Sequence, residues 1–367
     1  MKRIFSFFMH DLLFSISFLI ALISCFFGTF SIESIDFKVI VCLFGLMLLV
    51  ANIEKLGVLT YLAEKLIDLS TTTRALIRNI TLLAFFSSML LTNDVAILSL
   101  MPIYLTITKK VSDMGHKMTG AVLLIIAANL GSSFFPFGNP QNLFLFSYYS
   151  LTVGTFFSWA SLLLLVSFSF LFLSFFWIKK TPIPNQEEPL PSIDQRKTSY
   201  LSLIGLVILV GVFDLFPYYI VIPIAVLLLS MYDFSSLKQV DYRLLATFIF
   251  FFIAVGNFSQ LETISLLIKK QFTTSSATFF GSIAASQLIS NVPAAILLAP
   301  FTTQTQALFF GVNIGGLGTI IASLANLIGF KIYKQYYPNQ GKRFLLTFSL
   351  INLIFLLGFI VVFYFTL

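Results

Sequence analysis

Residues 78–109 read RNITLLAFFSSMLLTNDVAILSLMPIYLTITK, an apolar run with a basic residue at each end and 30 residues between them. Two full membrane crossings need roughly 40 residues, and one crossing would put the basic ends on opposite sides of the bilayer. The pattern therefore predicts a re-entrant hairpin that enters the membrane and returns to the same face. Backbone that turns at membrane depth is tolerated only where it is buried or lines a cavity.

The whole chain has the composition of a membrane protein. Of its 367 residues, 58% are hydrophobic and 10% are charged, and the mean hydropathy is +0.97. Soluble domains carry about a quarter charged residues. The net charge of +7 comes from basic residues in short loops between apolar runs, so it does not indicate a nucleic-acid-binding stripe.

The basic residues also orient the chain. With a hairpin at 78–109, 19 of the 22 Lys and Arg residues fall on one side of the membrane, and only Lys38, Lys269 and Lys270 fall on the other. The positive-inside rule predicts an inner-membrane protein with a cytoplasmic N-terminus and an outer C-terminus. About nine full spans plus two hairpins are expected, the first span being an uncleaved helix.

The two halves of the chain are related in sequence. Asn129 precedes Asn142 by thirteen residues, and Asn313 precedes Asn326 by the same spacing. Two further pairs match at an offset of 205 residues: Asp36 with Asp241, and Asn52 with Asn257. On the predicted topology the two halves run in opposite directions through the membrane, so the repeats are inverted.

The fold class expected is an all-α polytopic membrane protein with two inverted-topology repeats, each containing a re-entrant hairpin and a broken transmembrane helix. The predicted divisions are an N-terminal membrane helix at 1–35, a first repeat at 36–178, a cytoplasmic linker at 179–199, a second repeat at 200–335 and a C-terminal membrane helix at 336–367. Such architectures are typical of secondary transporters, whose site lies at the repeat interface.

Polar residues interrupt the apolar sequence at both hairpin tips and at two breaks rich in Gly, Pro and Asn. The start of a half-helix offers free N–H groups to an anion, while freed carbonyl and amide oxygens suit Na⁺. The predicted substrate-binding residues are Thr92, Asn93, Asn139, Gln141, Asn142, Ser290, Asn291, Thr319, Ser323 and Asn326. The predicted coupling-ion residues are Asp94, Asn93, Asn129, Gly131, Asn291 and Asn313.

Several of these residues have a purely structural alternative. Asn93 and Asn291 stand where a helix restarts, and Asn is a favoured N-cap. Glycines such as Gly131 and Gly315 also allow close helix packing. Either role is compatible with contact to a ligand.

Asp94 is the most informative single residue. On the predicted spans it is the only charged side chain near the bilayer midplane, where acids are costly and usually functional. It is suited to carry a proton or to join a Na⁺ site, and its structural alternative is again a helix cap. The second repeat has Val292 at the corresponding place, so one acidic coupling site is expected rather than two.

Four motifs together resemble the ion transporter superfamily, which includes arsenite permeases, citrate and dicarboxylate transporters and some sodium/proton antiporters. They are Thr92-Asn93-Asp94-Val95-Ala96, segment 129–142, Ser290-Asn291-Val292-Pro293-Ala294 and segment 315–326. The resemblance covers roughly 36–335 and is nearest to short bacterial anion permease-like members. It implies two hairpins, two broken helices, a homodimer, and ligand binding at the tips and breaks.

The leading functional hypothesis is a secondary active transporter that moves a small carboxylate or oxyanion with H⁺ or Na⁺ by alternating access. A Na⁺/H⁺ antiporter using Asp94 is the alternative, and a passive channel and a non-transporting membrane subunit are further alternatives. The sequence contains no HExxH, Walker A motif or paired intramembrane acids, so no enzymatic activity is expected. Beyond the coupling ion no cofactor is expected; the expected partners are the anion, membrane lipid and a second copy of the chain, not nucleic acid.

Overall fold

The computed structural model describes residues 12–28, 31–110, 116–183 and 192–367. Within these ranges the chain is helical, and the one extended pairing is a single bridge between Thr72 and Pro182. The first eleven residues of the predicted N-terminal helix and residues 184–191 of the predicted linker lie outside the described ranges. The expectation of an all-α protein is confirmed.

Seventeen α-helices follow one another in the described ranges. They are α1 (Leu12–Phe27), α2 (Phe37–Lys55), α3 (Val58–Asp68), α4 (Thr73–Leu91), α5 (Asn93–Lys110), α6 (Lys117–Gly131), α7 (Pro140–Tyr148), α8 (Val153–Ser174), α9 (Gln195–Val212), α10 (Tyr218–Tyr232), α11 (Tyr242–Gln260), α12 (Glu262–Gln271), α13 (Ser275–Ile289), α14 (Asn291–Leu298), α15 (Thr305–Gly315), α16 (Leu324–Tyr336) and α17 (Gly341–Tyr364).

Five helical segments of the described chain are long and apolar enough to cross a membrane, which agrees with a polytopic membrane protein. They are Phe37–Lys55, Thr73–Leu91, Val153–Trp177, Tyr242–Gln260 and Pro338–Tyr364. The second of these segments forms the first arm of the 78–109 hairpin. Its helix begins before the apolar run and so includes Arg74 and Arg78. Re-entry of this hairpin from one face stays a prediction.

Matched residues of the two halves begin matched helices. Asp36 accepts a hydrogen bond from the Val39 N–H at 3.1 Å and starts α2, and Asp241 accepts one from the Leu244 N–H at 3.0 Å and starts α11. A carboxylate at this position satisfies one of the free N–H groups of the first turn. The repeated aspartates are therefore N-caps in both halves.

The two hairpins pack on the two broken helices in an exchanged pattern. Helix α4 packs against α6, and α13 packs against α15. The second arms cross over, since α5 packs against α16 of the other half and α14 packs against α7. The interior between the halves is therefore enclosed by arms and half-helices taken from both.

Close approach of the helices depends on glycine at two matched places. A Cβ on Gly131 would lie 2.0 Å from the Phe85 carbonyl oxygen of α4, and one on Gly315 would lie 2.6 Å from the Ser286 Oγ of α13. No side chain fits at either contact. These contacts favour the packing role for both glycines.

An ion pair lies at each end of α2. Lys38, at the start, pairs with Asp214, and Lys55, at the end, lies 2.5 Å from the Asp233 carboxylate. Lys55 also donates to the hydroxyls of Ser235 at 2.8 Å and Ser236 at 2.9 Å. Both ends of the helix are thus fixed to the segments that flank α10.

We expect the Lys55–Asp233 pair to stabilise the fold above about pH 4. The hydrogen bond from Lys55, with those from Ser235, holds the pKa of Asp233 well below its usual range, so the contribution is lost as pH falls through that lowered pKa. At pH 7, Lys55→Gln and Asp233→Asn should each lower the melting temperature in detergent, and the double variant should melt little lower than either. If the losses in melting temperature of the two single variants add up in the double variant, the pairing is contradicted. Lys238→Gln, on the same turn, is the control.

Candidate functional site

Each hairpin turns on one residue with an unusual backbone conformation. Thr92 has φ 78° and ψ 154°, and Ser290 has φ 76° and ψ 153°. Residues other than glycine rarely adopt this region, and doing so costs on the order of 1–3 kcal/mol. Two hairpins of different sequence therefore share one strained tip geometry.

The asparagine after each strained residue bonds to the next backbone amide. Asn93 Oδ1 accepts from the Asp94 N–H at 3.0 Å, and Asn291 Oδ1 accepts from the Val292 N–H at 3.0 Å. Both asparagines are buried. The capping role given above as an alternative is thus present at both tips.

A small cavity, called here the tip cavity, lies between the two tips and the two breaks. Its volume is about 30 Å³, and a water-sized occupant needs about 10–15 Å³. Its lining includes the first residues of four helices, α5, α7, α14 and α16. The lining residues are Leu13, Asn93, Asp94, Pro140, Gln141, Leu244, Thr247, Phe248, Phe251, Ser290, Asn291, Val292, Pro293, Ser323 and Leu324.

At two of these helix starts the residue before the helix provides no side-chain cap. Within the described residues, Ser290 before α14 and Ser323 before α16 make no capping hydrogen bond to their own helix. By contrast, Asn139 Oδ1 caps α7 by accepting from the Asn142 N–H at 2.9 Å. The N–H groups in the first turn of α14 are already bonded, to the Ala322 carbonyl, to Asn291 Oδ1 and to the Ser290 carbonyl. The first turn of α16 thus offers N–H groups to a ligand in the tip cavity.

A wider cavity of about 210 Å³, called here the acidic vestibule, adjoins the tip cavity. The two share Asp94, Pro140, Leu244 and Leu324 as lining residues. Asp94 lies on both, and its Oδ1 atom is buried without a hydrogen-bond partner in the described part of the chain. The residues that line the two cavities include no Lys, Arg or His.

Behind the tip cavity, matched asparagines of the two halves bond to each other. Asn129 donates to Asn326 Oδ1 at 2.7 Å, and Asn313 donates to Asn142 Oδ1 at 2.7 Å. Asn129 and Asn313 stand 184 positions apart, as do Asn142 and Asn326, so the two bonds are the same contact made twice. All four side chains are buried.

The same network reaches the first tip and both breaks. Asn129 Oδ1 also accepts from the Asn93 amide at 3.0 Å and from the Ser323 hydroxyl at 3.0 Å. In the matched position, Asn139 donates to Asn313 Oδ1 at 3.4 Å. The first tip is therefore joined by hydrogen bonds to the broken helices of both halves.

The structure brings together most of the predicted site residues, though not all of them at a cavity. Asn93, Asp94, Gln141, Ser290, Asn291 and Ser323 line the tip cavity, and Thr92 with Asp94 lines the vestibule. Asn129, Asn139, Asn142, Asn313 and Asn326 form the network behind it. Thr319 is exposed, and its N–H and hydroxyl bond to Gln287 of α13; Gly131 is buried in the α4–α6 contact.

Two acidic residues at the vestibule were missed as site candidates. Glu54 at the end of α2 and Asp241 at the start of α11 line it beside Asp94. The sequence contains a weak signal for them, because both stand at the ends of apolar runs, but residues at span ends ordinarily lie at the membrane surface. The start of α11 lies instead beside the hairpin, so that Asp241 contributes its charge near Asp94.

We expect glycine to be tolerated better than alanine at the strained tip positions. Thr92→Gly and Ser290→Gly remove the hydroxyl and relieve the backbone strain. Thr92→Ala and Ser290→Ala also remove the hydroxyl, but the backbone strain remains. The glycine variants should melt at a higher temperature in detergent than the alanine variants. At Ser87, within α4, the order should reverse; a higher melting temperature for the alanine variants at the tips would show that the positions are unstrained.

Comparison with known proteins gives a consistent assignment. The family model described as citrate transporter (CitMHS) matches residues 12–308. The uncharacterized transporter MJ0456 of Methanocaldococcus jannaschii is 32% identical over 306 residues, which cover 81% of this chain and 81% of that protein. Inner membrane protein YbiR of Escherichia coli is 28% identical over 313 residues, covering 82% and 80% respectively.

The fold also has a counterpart among solved structures. The YdaH transporter of Alcanivorax borkumensis superimposes with a TM-score of 0.50 at 16% sequence identity, covering 89% of this chain and 83% of that one. At this level of identity the likeness concerns the fold alone.

Proposed function

Since the chain belongs to the citrate transporter family, we propose that this membrane transporter moves a small carboxylate or oxyanion by secondary active transport, driven by H⁺ or Na⁺. Alternating access is the proposed mechanism. The superfamily resemblance of the tip and break motifs points the same way.

The observation that carries this proposal is the convergence of four helix starts on the tip cavity. The backbone dipoles of each helix place a partial positive charge at its start. Four such starts at one cavity favour a negatively charged ligand, although the cavity also holds the carboxylate of Asp94. An anion is held there without any Lys or Arg, by amide N–H groups and by the side chains of Gln141, Ser290 and Ser323.

Asp94 is the proposed coupling residue, assisted by Asn93, Asn129, Asn291 and Asn313. Its buried oxygen without a partner favours a bound cation or proton, because an intramembrane carboxylate left alone is costly. No other cofactor is proposed.

In the proposed arrangement, residues 36–178 and 200–335 are inverted repeats in the membrane. Residues 1–35 and 336–367 are the terminal membrane helices, and residues 179–199 are the cytoplasmic linker. The exchanged helix packing and the twice-made asparagine contact support it. The protein is placed in the inner membrane with a cytoplasmic N-terminus and an outer C-terminus, as a homodimer.

A Na⁺/H⁺ antiporter is the second candidate, favoured by the position of Asp94 on an acidic cavity. Uptake and counterflow in proteoliposomes separate the two candidates, with citrate, C4-dicarboxylates and arsenite tested under imposed proton and sodium gradients. Gradient-driven movement of one anion supports the permease. Proton movement driven by Na⁺ with no anion present supports the antiporter and removes the anion from the mechanism.

Asp94→Asn should abolish coupled transport while leaving the protein inserted and folded. The substitution keeps the shape of the side chain but removes the charge that a coupling cation or proton neutralises. Gradient-driven uptake is compared with the elution profile and melting temperature of the same preparation. Glu33→Gln, on an exposed turn, is the control, and full activity of Asp94→Asn would remove Asp94 from coupling.

Asn291→Ala should raise the half-saturating anion concentration more than it lowers protein abundance. Asn291 lines the tip cavity, so its loss affects the ligand as well as the fold. Asn257→Ala is the matched control, because Asn257 is equally buried but donates to Ser24 of α1 at 3.0 Å, away from the cavity lining. Equal effects of Asn291→Ala on affinity and abundance would reduce the residue to a helix cap.

A further inference from the structure

The acidic vestibule differs from the tip cavity in its electrostatic character. The tip cavity is bordered by four helix starts and by one carboxylate, that of Asp94, whereas the vestibule is bordered by three carboxylates, those of Glu54, Asp94 and Asp241. Glu54 and Asp241 are exposed at its rim, and Asp94 lies where the two cavities meet. The vestibule thus favours a cation more strongly than the tip cavity does.

Nothing basic offsets these carboxylates in the vestibule lining as the structure describes it. Lys55 follows Glu54 directly in the chain, but its ammonium group is committed to Asp233 at 2.5 Å and to two serine hydroxyls. A free anion approaching through this mouth meets like charge. A cation meets the exposed carboxylates of Glu54 and Asp241 and, further in, that of Asp94.

We infer that the vestibule is the route of the coupling cation, in which Glu54 and Asp241 draw Na⁺ to Asp94 along a path separate from the anion's tip cavity. This inference rests on the proposed function and adds two residues and a route to it. On the predicted topology, Glu54 and Asp241 lie on the cytoplasmic side, so the route serves exchange of the cation with the cytoplasm.

Glu54 and Asp241 act by electrostatic attraction of Na⁺, and the three acids do not coordinate the ion together. In the described ranges no three His, Cys, Asp or Glu side chains are close enough to hold a metal ion together. A cleft lined by one sign of charge raises the local concentration of counter-ions, and this effect falls as salt screens the field. If Glu54 and Asp241 attract Na⁺ from a distance, the effect of removing their charges on Na⁺ affinity depends strongly on ionic strength. If they bind Na⁺ directly, that dependence is weak.

The test uses Glu54→Gln, Asp241→Asn and the double variant in proteoliposomes, with Na⁺ as the probe. Asparagine keeps the N-cap of α11, so Asp241→Asn removes charge without uncapping the helix. At low ionic strength the Na⁺ concentration for half-maximal uptake should rise about 3- to 10-fold in the double variant. When impermeant salt is added, this Na⁺ concentration in the double variant should lie within about twofold of the value for the unsubstituted protein. The half-saturating anion concentration, measured at saturating Na⁺, should not change.

Glu262→Gln on α12, an exposed acid that does not line the vestibule, is the control and should leave both values unchanged. The inference is wrong if the Na⁺ concentration for half-maximal uptake stays raised in high salt, or if the half-saturating anion concentration rises by the same factor. Binding of ²²Na⁺ to the purified protein in detergent separates this inference from the proposed function. If the unsubstituted protein moves no anion but the variants lose ²²Na⁺ binding at low salt only, the anion proposal fails and the cation route stands. Unchanged binding in the variants at low salt would refute the route.

Discussion

A helix that begins inside a membrane leaves backbone N–H groups that lipid cannot satisfy, and four helices of this protein begin at one cavity. The rest of the interior follows from that constraint. Asparagines 93, 139 and 291 accept hydrogen bonds from amides at the starts of α5, α7 and α14, whereas α16 begins without a side-chain hydrogen bond to its first turn. The N–H groups left free at the start of α16 suit the anion that we propose as the substrate.

The cavity is closed around little more than one or two water molecules, which is far less than the volume of a tricarboxylate. Admitting a substrate therefore requires the surrounding elements to separate. The bonds between Asn129 and Asn326 and between Asn313 and Asn142 join the two halves directly behind the cavity. On the proposed mechanism, these contacts either persist during the rearrangement or are replaced by contacts with the ligand.

The sequence predicted an all-helical membrane protein and the positions of its polar interruptions, because membrane depth restricts what a polar residue can do. Thr92, Ser290 and the asparagine pairs spaced by thirteen residues stand out against apolar neighbours, and all of them lie at tips, breaks or the network. Burial alone did not reveal which of them face a cavity: Thr319 bonds to Gln287 instead, and Gly131 serves helix packing. Glu54 and Asp241 were missed for the converse reason, since residues at span ends are ordinarily at the surface and only the three-dimensional arrangement brings them beside Asp94.

The exchange of hairpin arms between the halves also bears on how the protein is made. The ribosome delivers α5 and α7 well before α16 and α14, against which they pack. Until then, the side-chain amide of Asn129 lacks the acceptor that Asn326 later supplies, and the polar first tip lacks half of its enclosure. Biogenesis therefore passes through an inserted but incomplete intermediate with polar groups at membrane depth, and a chain truncated after the linker presents those groups to the cell's membrane quality control.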